Sequence, residues 1–288
     1  MSNIESIEIV DAQIHEPKPQ APLPPELEEH AVLFQVELAR EAMDAVGVDV
    51  AVAVTSEAFI ARAADLYPGR FPGVVTFWPL AGDLAAAAHR VRGLPAVVAG
   101  RALVGNAATA ELRPEFAQSV FDPLFAAAEE VGLPMFVSTH GNCAVMAKVA
   151  ERHPALTLII DHIGIAQHPV SPAHTQSWNA FPDLLDLARY PNVHVKLCGA
   201  PLLSEEHFPF KDIWPRLDAL FAAFGVDRVM WASDYTRMRL ADLPAGERPR
   251  RRGMSYADSL RYLLLSDRIG FEDKRALFGG SARRILGF

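Results

Sequence analysis

The sequence predicts a single-domain (β/α)8 barrel, in which eight parallel strands alternate with helices. Short runs rich in Val and Ile alternate with longer segments of helical periodicity, the pattern of repeated strand–helix units. There are eight such runs, the number that closes a barrel. A chain of 288 residues also suits one barrel with little decoration, so we expect one domain over residues 1–288. A doubly wound open sheet is the structural alternative.

The predicted strands follow one another along the whole chain. They are Ile7–His15, Val50–Thr55, Val74–Trp78, Val97–Val104, Met135–His140, Leu156–His162, Val193–Cys198 and Arg228–Asp234. The Ala- and Leu-rich segments between them have helical spacing. We predict helices at Glu37–Val46, Glu57–Leu66, Glu115–Val131, Ala144–Arg152, Pro182–Ala188 and Ile213–Phe224.

Glycines and prolines mark several helix ends. Gly47, Gly132 and Gly225 are expected C-caps, because glycine adopts the left-handed conformation found there. Proline shortly after a helix end prevents its continuation, as at Pro68, Pro154 and Pro191. Asp83–Arg92 is a weaker helix prediction, because it offers mostly alanine rather than an apolar stripe.

Composition excludes several functional classes. The chain is 50% apolar and 22% charged, which is ordinary for a globular protein. Its net charge of -8 disfavours binding to nucleic acid or to anionic membranes. We expect a cytoplasmic protein, because the N-terminus lacks a leader pattern and no long apolar run occurs. The two cysteines, Cys143 and Cys198, are expected to be reduced thiols.

Two long connections follow the first and the eighth predicted strands. They are Glu16–Glu29, with five prolines, and Thr236–Gly253. Most loops between strands and helices have about 2 to 6 residues, so these are candidate lids or binding loops. A solvated decoration is the alternative. In a barrel both loops would lie at the catalytic end.

Four side chains with catalytic potential end predicted strands. They are His15, His140, His162 and Asp234. Barrel enzymes carry their reacting groups at the carboxyl ends of strands, so we expect these four to converge. Such a group either holds a divalent cation or positions and deprotonates water. Asp161 adjoins His162, and because neighbours on a strand face opposite ways, we expect it to pair outside the barrel lumen.

The first strand contains a segment that resembles a family motif. This segment is Ile9-Val10-Asp11-Ala12-Gln13-Ile14-His15. It resembles the Asp-x-His-x-His signature of the amidohydrolase superfamily, in the branch called amidohydrolase 2. Further segments similar to that family follow in order over nearly the whole chain. They are Tyr67-Pro68-Gly69-Arg70-Phe71, Gly132-Leu133-Pro134, Asp161-His162-Ile163-Gly164, Val195-Lys196-Leu197-Cys198-Gly199, Trp231-Ala232-Ser233-Asp234 and Phe278-Gly279-Gly280-Ser281-Ala282-Arg283.

The resemblance implies a distorted barrel and chemistry on small carboxylated or sugar-derived substrates: lactone hydrolysis, decarboxylation or hydration. It also implies roles for the four residues. His15 and His140 match metal-ligand positions, and His162 matches the histidine that orients or activates water. Asp234 matches the carboxylate that ligates metal or acts as general base.

Gln13 departs from the family pattern, which has His at that position. An amide oxygen is a poorer zinc ligand than imidazole. A divalent metal such as Zn²⁺ would then depend on His15, His140 and Asp234. The favoured alternative needs no cofactor: Asp234 takes a proton from water, while His162 and His140, with Gln13 and His15, hold the substrate carbonyl and the oxyanion.

Cationic side chains suggest an anionic substrate. Lys196 and Arg101 are expected to face the lumen, where a buried cation needs a carboxylate of the protein or of the substrate. Arg237 opens an arginine cluster after the eighth strand that could attract a carboxylate. A solvated loop or a subunit contact is the alternative reading of the cluster. Trp78 could supply an aromatic wall, although packing would also explain it.

The sequence therefore predicts a hydrolase that opens a small carboxylate-bearing lactone with activated water. Asp234, His162 and His140 are the predicted catalytic residues, and Gln13, His15, Trp78, Arg101, Lys196 and Arg237 the predicted substrate-binding residues. A metal-dependent decarboxylase or hydratase is the first alternative, and a binding protein that has lost catalysis is the second. The expected partner is a small anionic substrate, with a homo-oligomer as a further expectation.

Overall fold

The computed structural model describes residues 7–17, 24–80, 82–107, 109–166, 178–237 and 254–288. Most of the loop predicted over Thr236–Gly253 and the middle of Glu16–Glu29 lie outside these ranges. So do two histidines and most of the arginine cluster. These are His168, His174, Arg239, Arg248, Arg250, Arg251 and Arg252.

Eight parallel strands form one sheet in the order of the sequence, as the barrel prediction requires. They are β1 (Val10–Ile14), β2 (Val50–Val54), β3 (Gly73–Phe77), β4 (Val97–Leu103), β5 (Met135–Ser138), β6 (Leu158–Ile160), β7 (Val193–Cys198) and β8 (Val229–Ala232). The segment after β8 returns to β1, where the Asp234 N–H donates to the Gln13 carbonyl at 2.9 Å. The predicted (β/α)8 barrel is confirmed.

Three strands stop two residues short of their predicted ends, and this changes how the site is built. β5, β6 and β8 end two residues before His140, His162 and Asp234. Those three residues have φ angles of 45°, 52° and 47°. Such angles lie in the left-handed region, which is incompatible with extended strand backbone. Each of the three side chains is therefore presented by a tight turn just beyond its strand.

Eleven α-helices occur in the described part of the chain. They are α1 (Ala31–Val46), α2 (Glu57–Leu66), α3 (Leu84–Arg92), α4 (Pro114–Ala117), α5 (Asp122–Glu130), α6 (Met146–Arg152), α7 (Phe181–Asp186), α8 (Trp214–Phe224), α9 (Tyr256–Leu264), α10 (Phe271–Arg275) and α11 (Ser281–Leu286). None of the described helices is long and apolar enough to cross a membrane.

One predicted helix is divided in two, and the alanine-rich segment does form a helix. The helix predicted over Glu115–Val131 is wrong as a single element, because it divides into α4 and α5. Ser119 between them has a φ of 60°, which a right-handed helix cannot include. The alanine-rich helix is present as α3, and the Asp83 carboxylate caps it by accepting from the Ala86 N–H at 3.0 Å.

The core has two parts, which follow the two-residue period of the strands. Val50, Val52 and Val54 of β2 pack with Phe136 and their lumen neighbours, whereas the alternate β2 residues face the helices. In β1 the register with β2 shifts between Asp11 and Ile14. After this irregularity the Gln13 and His15 side chains reach groups of β7 and of the segment after β8.

Candidate active site

Three of the four predicted strand-end residues meet at the carboxyl end of the barrel. His15 Nε2 lies 3.4 Å from Asp234 Oδ1, and His162 Nε2 lies 3.8 Å from Asp234 Oδ2. All three residues are buried. A single carboxylate therefore lies between two imidazoles, although the three side chains are far apart in the sequence.

Asp234 is a carboxylate suited to accepting a proton near neutral pH. Burial raises its pKa to about 7, against the opposing effect of the Arg101, Lys196 and Arg237 charges. A general base is most effective when its pKa lies near the working pH. Asp234 Oδ1 has no hydrogen-bond partner among the described residues. The carboxylate is thus desolvated and available for a substrate or water.

The tautomer of His15 follows from its partners. Nδ1 lies 2.7 Å from the Val54 carbonyl, which can only accept, so Nδ1 carries the hydrogen. Burial, together with Arg101 and Arg237, lowers the pKa of His15 well below its usual value, and the ring is neutral. Its Nε2 therefore presents a lone pair toward Asp234 Oδ1.

His162 is a neutral imidazole on the other side of Asp234. Burial lowers the pKa of His162 to about 3, outweighing the opposite effect of Asp161. Its Nδ1 has no hydrogen-bond partner in the described part of the chain. A neutral imidazole can donate one hydrogen bond, and no described residue pairs with Nδ1. His162 can therefore donate to a substrate oxygen.

His140 lies next to His162 and nearer to solvent. The centroids of the two rings are 6.4 Å apart. The Ser138 hydroxyl is 2.9 Å from His140 Nε2, so a residue from the end of β5 orients the ring. His140 thus lies beside His162, while its convergence with His15 and Asp234 stays a prediction.

The expectation that Asp161 pairs outside the lumen is wrong. Its carboxylate lies 2.7 Å from Lys196 Nζ and accepts from Arg101 Nε at 2.7 Å, and all three side chains are buried. Burial would raise the pKa of Asp161, but the two cations outweigh it and hold this pKa below its usual value. The alternation rule fails at His162 because β6 ends at Ile160 and His162 turns back with positive φ.

Lys196 and Arg101 are both paired with a carboxylate of the protein. Lys196 Nζ also lies 3.6 Å from the Phe136 ring centroid, a cation–π contact. Burial lowers the pKa of Lys196, partly offset by Asp161. Two cations and one carboxylate leave a surplus of one positive charge beside Asp234. The substrate-binding role of Lys196 and Arg101 stays a prediction.

Gln13 connects this ion cluster to the histidine–aspartate group. Its Oε1 accepts from the Lys196 ammonium, and its Nε2 donates to His15 Nε2 over 3.4 Å. Because an ammonium group only donates, this pairing also determines which way the amide points. The contacts run from Asp161 through Lys196, Gln13 and His15 to Asp234.

Arg237 and Trp78 lie at the surface. The Arg237 N–H donates to the Asp234 carbonyl at 2.9 Å, and its exposed side chain contributes to the pKa shifts of Asp234 and His15. Trp78 follows β3 directly and is 56% exposed, which excludes the alternative that it is simply packed in the core. Binding of substrate by either residue stays a prediction.

The sequence analysis did not identify the buried residues that connect β1 to the segment after β8. The buried Asp11 carboxylate accepts from the N–H of Gln13 at 3.0 Å and of Ser233 at 2.9 Å, and from the Ser233 hydroxyl. Burial raises the pKa of Asp11 to about 6, against these hydrogen bonds. Asp11 thereby positions Gln13 and the turn that carries Asp234. Its place in the first-strand motif was the available signal.

The contacts around the predicted metal ligands limit whether these residues could hold an ion. The 3.4 Å between His15 Nε2 and Asp234 Oδ1 is compatible with two ligands of one ion. However, the Gln13 amide donates to the very nitrogen that would bind the ion, and its oxygen faces an ammonium. These contacts fit an ion at His15, His140 and Asp234 poorly. That ligand set stays a prediction.

The fold and the site define a (β/α)8-barrel protein with a histidine–aspartate centre at the carboxyl ends of its strands. The chain belongs to the amidohydrolase 2 family, whose model, described as Amidohydrolase, matches residues 10–288. The resemblance of the sequence motifs to this family is therefore confirmed.

Two curated relatives are similar to parts of the chain. L-fucono-1,5-lactonase of Burkholderia ambifaria is 34% identical over 92 residues, which is 32% of this chain and 30% of that protein. 4-Sulfomuconolactone hydrolase of Hydrogenophaga intermedia is 28% identical over 153 residues, 52% of this chain and 46% of that protein. The chain thus matches less than half the length of either relative.

A solved structure shares the whole fold. A zinc-bound amidohydrolase from Burkholderia multivorans superposes with a TM-score of 0.69 at 19% identity, over 98% of this chain and 99% of that one. At 19% identity, this structural similarity supports the barrel fold alone.

Proposed function

We propose that this protein is a lactone hydrolase in which Asp234 is the general base. The observation that carries the proposal is the buried Asp234 carboxylate, with a pKa of about 7, between His15 at 3.4 Å and His162 at 3.8 Å. The names of the two curated relatives described above denote enzymes that act on lactones. A lactone is an activated ester that water opens once the water is deprotonated.

The reaction uses side chains and water. Asp234 accepts a proton from water as the water oxygen attacks the lactone carbonyl carbon. His162, with His140 beside it, donates a hydrogen bond to the oxyanion of the tetrahedral intermediate. The intermediate then breaks its ring carbon–oxygen bond, and protonated Asp234 returns the proton to the leaving alkoxide. The product is the ring-opened hydroxy acid.

The contacts of Gln13 favour this route without a metal ion. The Lys196 ammonium, a fixed positive charge, donates to the Gln13 amide oxygen. Lys196 and Arg101 share the single Asp161 carboxylate, so one positive charge remains in excess beside the reacting carboxylate. The same surplus, with Arg237 at the mouth, supports a substrate that carries a carboxylate. The sulfonated lactone named for one curated relative is likewise anionic.

The test is turnover of a panel of small lactones, with and without a carboxylate, by chelator-treated protein. We expect ring opening of at least one carboxylated lactone, and its loss in Asp234→Asn. Absence of turnover over the whole panel, or full activity of Asp234→Asn, would refute the proposal. Activity that requires added Zn²⁺ or Mn²⁺ would instead favour the metal-dependent decarboxylase or hydratase alternative.

A further inference from the structure

Cys198 places a thiol beside the reacting carboxylate, where the proposed mechanism does not use it. It ends β7 and is completely buried. One ligand atom each from His162, Cys198 and Asp234 lies within 4.8 Å of the others. In a tetrahedral zinc site the bonds of about 2.0 to 2.3 Å separate ligand atoms by roughly 3.5 Å. The His162–Asp234 distance of 3.8 Å is already close to that value.

We propose that His162, Cys198 and Asp234 form a binding site for a thiophilic divalent metal ion, with Zn²⁺ as the typical ligand. This set shares only Asp234 with the ligands predicted from the family resemblance. It avoids His15, whose lone pair is occupied by the Gln13 amide.

The donor atoms suit zinc. Imidazole nitrogen, thiolate sulfur and carboxylate oxygen are its usual protein ligands, and three of them leave a fourth position for water. Thiolate also favours zinc or cadmium over magnesium or calcium. Metal binding releases the Cys198 thiol proton to solvent, so that thiolate and carboxylate together balance the two charges of the ion.

Two buried atoms in this group are unsatisfied. Neither Asp234 Oδ1 nor His162 Nδ1 has a hydrogen-bond partner among the residues that the structure describes. Buried polar atoms are normally paired, so these two are candidates for an external partner. The imidazole nitrogen shown near Asp234 is Nε2, so an ion here would bind His162 through Nε2, and Asp234 Oδ1 is the unsatisfied atom that could ligate it.

Occupancy of this site would inhibit lactone hydrolysis, since it removes the base and the oxyanion donor together. This consequence rests on the proposed function, whereas the binding itself does not. Zinc should therefore lower the rate of wild-type protein that turns over a lactone after chelator treatment.

The decisive measurement is the absorption spectrum of full-length protein titrated with Co²⁺, a spectroscopic substitute for Zn²⁺. Thiolate ligation produces an intense near-ultraviolet charge-transfer band, which imidazole and carboxylate ligands do not. We expect the band in wild type with one Co²⁺ per chain, and its displacement by Zn²⁺. It should vanish in Cys198→Ser and persist in Cys143→Ser, a control at the other buried cysteine.

Cys198→Ala is measured in parallel, and thermal unfolding of each variant checks that it folds. No charge-transfer band in wild type, or an equal band in a folded Cys198 variant, would overturn the proposal. Zinc inhibition should be weaker in Cys198→Ser than in Cys143→Ser, each relative to its own zinc-free rate. Failure of the lactonase proposal would abolish that comparison but leave the spectra unaffected.

Discussion

The Lys196 ammonium lies 2.7 Å from the Asp161 carboxylate, and both side chains are completely shielded from solvent. Burying a charge without its partner costs far more free energy than the intact ion pair contributes to stability. The pair therefore holds Lys196 in place beside Gln13, and through Gln13 it orients His15 next to Asp234. It links the stability of the barrel to the geometry of its reacting groups.

Removing one partner of this pair should destabilise the protein strongly. We expect Lys196→Met to lower the free energy of unfolding by about 3–5 kcal/mol, because it leaves Asp161 buried with one cation fewer. The measurement is urea denaturation. Asp161→Asn added to Lys196→Met should recover part of the loss. Arg90→Met, which breaks an exposed pair with Glu57, is the control and should cost about 0–1 kcal/mol.

Asp234→Asn should abolish most activity without unfolding the barrel. General base catalysis is worth about 10²–10⁴-fold, and the amide cannot accept the proton from water. We expect a fall of that size in kcat on a lactone substrate, with an unchanged circular dichroism spectrum. Asp218→Asn, an exposed substitution on α8, is the matched control. A loss of less than tenfold would remove Asp234 from the role of base.

The rate should depend on pH through Asp234. Its carboxylate must be ionised to accept a proton, and its pKa is raised to about 7. We therefore expect kcat/KM to rise with pH up to about 7, by about tenfold per pH unit on the acidic side, and then to level off. His162, with a pKa of about 3, stays neutral over this range. A midpoint near pH 4 would contradict the assignment.

Gln13→Glu should shift this pH profile upward. The new carboxylate would stand next to His15, one side chain away from Asp234, and a like charge nearby raises the pKa of a carboxyl group. We expect the acidic limb to move up by about one pH unit, measured as kcat/KM against pH. Gln118→Glu, which adds the same charge at an exposed position, should leave the limb unchanged.

Arg237→Gln should affect carboxylated lactones selectively. If the exposed guanidinium at the mouth attracts the substrate carboxylate, its loss should raise KM by about tenfold, equivalent to about 1.4 kcal/mol. A neutral lactone should show little change, and added salt should reduce the difference in wild type. Arg62→Gln on α2 is the control. Equal effects on charged and neutral lactones would show that Arg237 does not recognise the carboxylate.

Local sequence patterns were enough to predict the barrel and much of its site. The strands and most helices follow from the two-residue and 3.6-residue periods. His15, His162 and Asp234 could be recognised because the carboxyl ends of parallel strands meet at one end of a barrel. Asp161 was misplaced because the alternation rule holds only within a strand, and β6 ends before it.

The sequence by itself determined which side chains reach the mouth of the barrel, because strand order and chain direction leave little choice. Only the tertiary structure decided what each of them touches. The positive φ angles of His162 and Asp234, the irregularity in β1 and the pairing of Lys196 with Asp161 and Gln13 all arise from contacts between distant segments. Such contacts determine burial and charge, which in turn set the pKa of Asp234 and the ligands of any ion.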